Sequence, residues 1–324
     1  MKRLSPLFVL IAALLLCFVP LVAGAFRVDQ LSRILIYVIL AASLDLMVGY
    51  TGMVNLGIAA FFGLATYTGA LLADRMGISN VFIALPASLI VAAIASLIVG
   101  VLTVRLRGIY FIMATLAFTQ IVYFLLNDSN WAGGSDGVLV SSNVKATIAG
   151  FTLVNLGDRV QRFYFTLGAA SLVLLGLLRL VDSPFGRVLQ GIRENEQRMR
   201  ALGYRVGRFK LACFVLSGTL SGLAGYLYFA LTTFADPTLT YWLQSAQILV
   251  MTVLGGVGTL LGPAIGAAFF TYFIDWSSEL TEHWKLYLGL IVVAATLFSP
   301  GGLWKGLERI SKGLIFSPKE RSSA

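Results

Sequence analysis

Few residues in this chain are of a type that could carry chemistry. Asp45, in "SLDLMVGYTG", is the main ionisable residue inside an apolar stretch. A carboxylate there could bind a substrate ammonium, pair with a neighbour, or lie solvated near the membrane interface. Cys17 and Cys213 lie in apolar runs, and the single His283 has no cysteine or histidine near it, so no disulfide or metal site is predicted. We expect no catalytic residues and no enzyme activity in this chain.

Polar residues also occur at or near breaks in apolar stretches. Thr51 and Asn55 lie in the interruption "GYTGMVNLG", and Thr119 and Gln120 lie in "MATLAFTQIVYF". Broken helices at membrane depth are tolerated where they line a cavity, so these four residues join Asp45 as candidates for a substrate pathway. A plain cytoplasmic turn explains Thr51 and Asn55 equally well. A hydrogen bond to a neighbouring helix explains Thr119 and Gln120 slightly better than a pathway does.

The composition indicates that the main solvent of this chain is lipid. Of its 324 residues, 58% are hydrophobic and 12% are charged, whereas a soluble domain carries about 25% charged residues. We therefore predict one polytopic membrane domain over residues 1–324. The net charge of +9 comes largely from basic clusters next to apolar spans. Such clusters mark the cytoplasmic side of a membrane protein rather than a nucleic-acid surface.

The apolar segments predict an all-α bundle, because helices satisfy their own backbone in lipid and the runs are too long for barrel strands. The first segment resembles a signal peptide, but since every later segment is also apolar, a first transmembrane helix is the simpler interpretation. Two long stretches, 34–73 and 246–274, are interrupted by "GYTGMVNLG" and "GGVGTLLGP". Two crossings in each give about ten helices, and a re-entrant second stretch gives about eight. The uninterrupted spans are 7–25, 81–104, 109–126, 163–181, 211–231 and 284–298.

Charge predicts which ends of the spans are cytoplasmic. The basic start, the "VRLRG" turn, the loop after Arg179 and the C-terminal tail belong inside. The loop 127–162 has three basic and three acidic residues and belongs outside, as does the acidic segment 275–285. Both chain ends are therefore predicted to be cytoplasmic.

A charged segment, "DSPFGRVLQGIRENEQRMRALGYRVGRFK", separates two of the apolar spans at residues 182–210. It has helix signals: Asp182 or Ser183 as N-cap, Pro184 in the first turn and Gly203 as a left-handed stop. Helical spacing predicts a single amphipathic helix with i,i+4 ion pairs and one narrow apolar stripe. It could lie in the headgroup layer or dock onto a soluble partner. The ion pairs are Glu194–Arg198 and Glu196–Arg200, and the stripe is Leu189, Ile192, Met199 and Leu202.

The same segment, continued to "LACFVLSGTLSGLAGYLY", resembles the coupling-loop region of LivM-type permeases of branched-chain amino acid ABC importers. The stretches "SLDLMVGYTGMVNLGIAAFFGLATYTGALL", "RGIYFIMATLAFTQIVYFLLN" with "GGSDG", "GGVGTLLGPAIGAA" and "SPGGLW" are similar to that family in the same order. The resemblance covers most of the chain. It departs at Asp45, where related permeases often carry asparagine.

The resemblance implies a permease subunit in a bacterial cytoplasmic (inner) membrane. It implies a second homologous permease subunit, two cytoplasmic ATPases that bind the ATP, and an extracytoplasmic binding protein that delivers branched-chain or similar neutral amino acids. The chain itself has no GxxxxGK[ST] loop and is expected to bind no cofactor. The residues at the family's ATPase-coupling positions are Gly191, Arg193, Glu194, Glu196, Ala201, Leu202 and Gly203.

Three alternatives remain open. Gly134, Ser135 and Asp136 form a turn-rich segment of the external loop, which is either a plain turn or a contact for the binding protein. The cargo is either an amino acid or, as in similar permeases, urea or a short amide. A secondary transporter driven by an ion gradient is a rival class, with Asp45 as its membrane-embedded acid.

Overall fold

The computed structural model describes residues 5–22, 24–140, 145–148, 151–280, 283–298 and 302–304. The basic N-terminal residues and the C-terminal tail, on which part of the predicted orientation rests, lie outside the described residues. Within these ranges the chain is mainly helical. The α-helices are α1 (Ser5–Cys17), α2 (Val19–Val22), α3 (Ala25–Thr51), α4 (Ile58–Arg75), α5 (Val81–Thr103), α6 (Ile109–Asn127), α7 (Arg159–Asp182), α8 (Pro184–Glu194), α9 (Glu196–Ala201), α10 (Val206–Thr232), α11 (Trp242–Gly255), α12 (Leu261–Leu280) and α13 (Trp284–Phe298).

Four short strands in the described residues form two antiparallel pairs. β1 (Val138–Leu139) pairs with β4 (Phe234–Ala235), and β2 (Lys145–Ile148) pairs with β3 (Phe151–Asn155). The first pair joins the segment after α6 to the segment after α10. The carboxyl ends of α6 and α10 therefore lie together, at what we call the strand end of the bundle. The opposite end, where α8 and α9 lie, we call the α8–α9 end.

The predicted class, a polytopic helical membrane protein, is confirmed. Five helices of the described residues, namely α3, α5, α6, α7 and α10, are long and apolar enough to cross a membrane. Many large apolar side chains on α5 and α6 are exposed on the surface of the bundle, as expected for helices that face lipid or a membrane partner.

Each interrupted apolar stretch consists of two helices rather than one. Residues 52–57 separate α3 from α4, and residues 256–260 separate α11 from α12. Helix α11 has only 14 residues, and it begins beside the first turn of α4, where the Ala59 amide donates to Ser245 Oγ at 3.0 Å. The number of complete crossings stays a prediction.

Helix α10 is the centre of the bundle and packs against α3, α4 and α5. Its small residues allow this close approach. A Cβ on Gly222 would lie 2.4 Å from the Cβ of Ala92 on α5, and one on Gly225 would lie 2.1 Å from the carbonyl oxygen of Phe62 on α4. Small residues at helix contacts are typical of membrane bundles, where packing replaces the hydrophobic driving force.

The charged segment contains two helices, and the prediction of one continuous helix is wrong. Ser183 caps α8 as expected and Gly203 has the left-handed φ of 87°. Asn195, however, is extended and its Oδ1 accepts from the Arg198 amide at 2.9 Å, so it caps a new helix, α9. The break places Glu194 and Arg198 on different helices. It also divides the predicted apolar stripe: Leu189 and Ile192 are buried, whereas Leu202 is 65% exposed.

Ion pairs join the first half of α3 to its neighbours at the strand end. Asp29 pairs with Arg162 at 2.7 Å, and Arg33 pairs with Asp275 at 2.8 Å. The loop 127–162 and the acidic segment near Asp275, which the charge pattern predicts on one side of the membrane, thus lie at the same end of the bundle.

Candidate functional site

The surface of α8 and α9 carries an open apolar groove of 590 Å³. Leu202 and Tyr204 on its rim are 65% and 43% exposed. Exposed large apolar side chains grouped on a charged surface are typical of a protein contact. The groove is lined by Pro184, Phe185, Arg187, Val188, Met199, Leu202, Tyr204 and Phe209.

The residues at the seven coupling positions divide into two groups. Glu194, Ala201, Leu202 and Gly203 are exposed on the surface of α8 and α9. The others contact their own chain. A Cβ on Gly191 would lie 2.8 Å from Met199 Sδ, so this glycine lets α9 fold closely back on α8. The side chains of Arg193 and Glu196 both bond to other helices of the bundle.

Glu196 fixes α9 to the bundle through a cluster of basic side chains. Its carboxylate accepts from Lys210 Nζ of α10 at 2.8 Å, pairs with Arg200 of α9, and lies 3.5 Å from Arg107 in the α5–α6 connection. Partial burial by itself raises the pKa of Glu196, but the hydrogen bond and charge of Lys210, with Arg107 and Arg200, outweigh it and lower the pKa below its ordinary value. Glu196 is therefore charged at neutral pH.

Arg193 reaches from α8 to the end of α3. Its Nη1 donates to the carbonyl oxygen of Gly49, one of the last-turn carbonyls that have no partner within a helix. A cation at a helix C-terminus is also favoured by the helix dipole. Its Cγ lies 3.5 Å from where a Cβ of Gly52 would stand. Arg193 is nevertheless exposed, so the same side chain is reachable from the α8–α9 surface.

Asp45 lies one turn before Gly49 and binds the backbone of residues 256–260. Its Oδ1 accepts from the Gly258 amide at 2.7 Å and its Oδ2 accepts from the Leu260 amide at 3.1 Å. Asp45 is fully buried. Both carboxylate oxygens thus have partners in this turn, and a direct contact with substrate would require the turn to open.

The turn that Asp45 binds has an unusual backbone. Leu260 has a φ of 56° and is fully buried. A left-handed conformation costs a non-glycine residue roughly 1–2 kcal/mol, so its surroundings must hold it in place. Tyr50 adds a further bond, because its hydroxyl donates to the Gly258 carbonyl at 3.0 Å.

The break between α3 and α4 is held by neutral groups instead. The Leu56 amide donates to Thr115 Oγ1 at 3.3 Å, and Thr119 Oγ1 donates to the Leu56 carbonyl at 3.0 Å. Asn55 is buried, and its Oδ1 accepts from the Gly57 amide at 2.7 Å. Thr119 thus bonds to the connection between α3 and α4, and also to the Thr115 carbonyl of its own helix at 2.9 Å. Thr51 is also buried, and its hydroxyl donates to the Met47 carbonyl at 2.7 Å.

The remaining candidates lie towards the strand end. Gln120 lines an open groove of 580 Å³ beside α6, and its buried Oε1 has no hydrogen-bond partner in the described part of the chain. Gly134, Ser135 and Asp136 form a 3₁₀ turn, in which Ser135 and Asp136 are exposed. Among the described residues, no group of three or more His, Cys, Asp and Glu side chains could hold a metal ion.

Several residues of the site are not apparent in the sequence. Lys210, Tyr50 and Thr115 bond to Glu196, Gly258 and Leu56, which are 14 to 208 positions away. The glycines of "GGVGTLLGP" mark a turn, but nothing in the sequence pairs that turn with Asp45. Lys210, a basic residue that follows the helix of Glu196 in the sequence, was the one available indication of their ion pair.

The described residues form a multi-pass helical bundle with two broken helix pairs and with charged helices folded back onto one end. The family model described as "Branched-chain amino acid transport system / permease component" matches residues 26–298. The chain belongs to this family of ABC-type permeases.

Individual relatives agree with this family. The chain is 32% identical to the high-affinity branched-chain amino acid transport system permease protein LivM of Salmonella typhimurium, over 88% of this chain and 71% of that protein. It is 29% identical to the autoinducer 2 import system permease protein LsrC of Klebsiella pneumoniae subsp. pneumoniae, over 70% of this chain and 65% of LsrC. It is 26% identical to the probable branched-chain amino acid transport permease protein LivH of Methanocaldococcus jannaschii, over 84% of this chain and 91% of LivH. No solved structure matches the chain significantly.

Proposed function

We propose that this chain is the membrane-spanning subunit of an ABC importer that carries branched-chain or similar neutral amino acids across a bacterial inner membrane. The observation that carries the cargo class is the 32% identity to a LivM permease over 88% of the chain. The more distant relative LsrC is named for a different cargo, so the family alone leaves the substrate open. A urea or short-amide permease is the alternative within the same family.

ATP is hydrolysed by separate subunits that dock on α8 and α9. The exposed groove with Leu202 and Tyr204 on its rim supports this role, as does the exposed acid Glu194 at the end of α8. With the ATPases docked there, the α8–α9 end of the bundle faces the cytoplasm, and both chain termini are cytoplasmic. The basic residues of α8, α9 and the start of α10 agree with the charge pattern of a cytoplasmic surface.

Two further partners complete the assembly. A second, homologous permease subunit covers part of the exposed apolar surface, and the similarity of this chain to both a LivM and a LivH protein supports a pair of related subunits. An extracytoplasmic binding protein delivers the substrate at the strand end, where Ser135 and Asp136 are exposed.

An ion-driven secondary transporter is the weaker candidate. It depends on Asp45 as a proton or sodium carrier, yet both oxygens of that carboxylate accept backbone N–H bonds. It also gives α8 and α9 no role.

The first test is purification of the tagged chain from its native membrane in mild detergent, with mass spectrometry of the proteins that accompany it. We expect an ATPase and a second permease. A chain that purifies alone, and that moves L-leucine into liposomes under an ion gradient without ATPase, would contradict the proposal.

The docking surface has a matched pair of variants. Leu202 and Leu139 are 65% and 69% exposed at opposite ends of the bundle. Leu202→Asp should reduce the recovered ATPase about tenfold, the effect of losing one well-buried contact of an interface. Leu139→Asp should leave ATPase recovery unchanged. Equal recovery with both variants would exclude the groove as the docking site.

A further inference from the structure

Three segments that are distant in sequence meet at one point of the α8–α9 end. They are the last turn of α8, the last turn of α3, and the turn formed by residues 256–260. Arg193 of α8 donates to the Gly49 carbonyl of α3. A Cβ on Gly258 would lie 3.1 Å from Arg193 Nη1 and 3.2 Å from the Gly49 carbonyl oxygen. The guanidinium therefore lies at the junction of α3 with the turn.

The contact between α3 and the turn leaves no space for side chains. A Cβ on Gly49 would lie 2.6 Å from the Gly258 nitrogen and 2.7 Å from its Cα. Asp45 holds the same turn from within the bundle, through the Gly258 and Leu260 amides. The turn is thus bound to α3 by a buried carboxylate and approached from α8 by an exposed arginine.

The turn is a suitable moving part because its conformation depends on these contacts. Leu260 has a φ of 56° without being a glycine, and glycines with φ of 118° and 83° precede it at positions 256 and 258. Backbone in such regions persists only where neighbouring groups hold it, and it is enriched in elements that switch between two states. Losing the neighbours would let the turn relax.

We propose that Arg193 is the positioning residue that couples movement of α8 to residues 256–260, and through them to α11 and α12. This inference rests on the proposed function, since the force comes from ATPases docked on α8 and α9. Glu196 fixes α9 to α10, whereas Arg193 donates from α8 to the last turn of α3 and lies beside the turn. When α8 moves, the guanidinium leaves Gly49 and Gly258, and the turn is free to rearrange around Asp45.

A purely structural role for Arg193 makes a different prediction. If Arg193 only capped α3, its loss would lower stability and assembly, and transport and ATP hydrolysis would fall together. A coupling residue instead separates the two activities. The quantity to measure is therefore ATP hydrolysed per substrate imported, by the full complex in proteoliposomes with the binding protein and L-leucine.

The variants are Arg193→Gln, Arg193→Lys and, as a control, Arg208→Gln, which removes the same charge from an exposed position on the first turn of α10. We expect Arg193→Gln to retain its ATPases and their hydrolysis while uptake falls about tenfold, within the usual range of a coupling free energy. Arg193→Lys, which keeps one cationic donor, should recover part of the uptake. Arg208→Gln should behave as the unmodified chain. An unchanged ratio in Arg193→Gln would overturn the inference.

A second readout does not depend on the substrate or on uptake. Spin labels are attached at two exposed positions, Val253→Cys on α11 and Leu172→Cys on α7, in a chain whose exposed Cys17 is replaced by serine. The distance between the two labels reports the position of α11 relative to α7. Trapping the complex with ATP and vanadate should change this distance in the labelled chain that keeps Arg193, and should leave it unchanged in the labelled Arg193→Gln variant. If Arg193→Gln fails to assemble, Arg193→Lys is measured in the same way. An equal change with and without Arg193 would overturn the inference.

The failure of this inference is distinguishable from the failure of the proposed function. If the unmodified chain recovers no ATPase, the proposed function fails and the inference fails with it. If the unmodified chain assembles and couples normally, and Arg193→Gln does so too, only the coupling role of Arg193 is wrong.

Discussion

The two helix breaks of this protein are stabilised by different chemistry. In the first break, Gly52 faces Arg193, but residues 55–57 are held by neutral groups, the hydroxyls of Thr115 and Thr119 and the amide of Asn55. Residues 256–260 are held by the carboxylate of Asp45, with the guanidinium of Arg193 beside them. Bonds between neutral groups, from α6 and from within the break, hold residues 55–57 in place. Charged contacts from two helices, one of them on the docking surface, make a joint that a partner can reach.

Substitution of a glycine at each break should give the largest difference in stability between the two breaks. A Cβ on Gly49 would be 2.6 Å from the Gly258 backbone nitrogen, whereas one on Gly57 would be 2.9 Å from Asn55 Oδ1 and 3.2 Å from Thr115 Cβ. Gly49→Ala should lower stability by about 3 kcal/mol or more, because backbone must move apart. Gly57→Ala should cost about 1 kcal/mol, since the nearest atom belongs to the Asn55 side chain, which can adjust, and the nearest backbone atom, the Thr115 carbonyl oxygen, would be 3.2 Å away. Thermal unfolding in detergent compares the two, and equal losses would remove the distinction.

Removal of the Asp45 carboxylate at the second break should have the next largest effect on stability. Asp45→Ala leaves the part-buried Gly258 amide and the buried Leu260 amide without this acceptor, at a cost of about 1–3 kcal/mol for a fully buried group. Asp45→Asn keeps one acceptor oxygen and should lose about half as much. Chemical denaturation of the detergent-solubilised chain tests this order. Full stability of Asp45→Ala would show that the turn does not depend on the carboxylate.

The hydroxyl at the first break should matter less. Thr119→Val keeps the shape of the side chain but removes the bond to the Leu56 carbonyl, at a cost of about 1 kcal/mol. Uptake of L-leucine should remain within about twofold of the unmodified chain, because the bond between Thr119 and Leu56 is not part of the contact that Arg193 makes with α3 and the turn. A loss of uptake as large as that of Arg193→Gln would contradict the contrast between the breaks.

The smallest expected effect concerns the anchor of α9, and it depends on pH. The pKa of Glu196 is lowered in the folded chain, so its contribution is complete above the unfolded pKa of about 4.3 and is lost as the pH falls through the folded pKa. Glu196→Gln should therefore cost about 0.5 kcal/mol at neutral pH, since Arg107 and Arg200 are more than half exposed and such pairs are weak. The difference in stability between Glu196→Gln and the unmodified chain, measured by chemical denaturation, should disappear in acid. A difference that persists at low pH would mean that the ion pairs are not its cause.

Much of this architecture could be predicted from the sequence, because apolar length and charge act locally. The membrane class and both interruptions follow from hydropathy and glycines, and Ser183 and Gly203 behave as their types predict. The break at Asn195 was missed, since the same residue type also occurs inside helices. The bond from Gly258 to Asp45 was missed because it joins positions 213 apart, which no local pattern reports. Arg193 is exposed on α8 and also donates to the carbonyl of the buried residue Gly49. The sequence indicates only the exposed position.

The most direct test of the contrast between the two breaks is amide hydrogen exchange on the assembled complex, with and without ATP and vanadate. Peptides that cover residues 256–260 and 52–57 are compared in the same digest. We expect nucleotide trapping to change the protection of residues 256–260 and to leave residues 52–57 as they were. Equal changes in both segments, or a change confined to residues 52–57, would contradict the account.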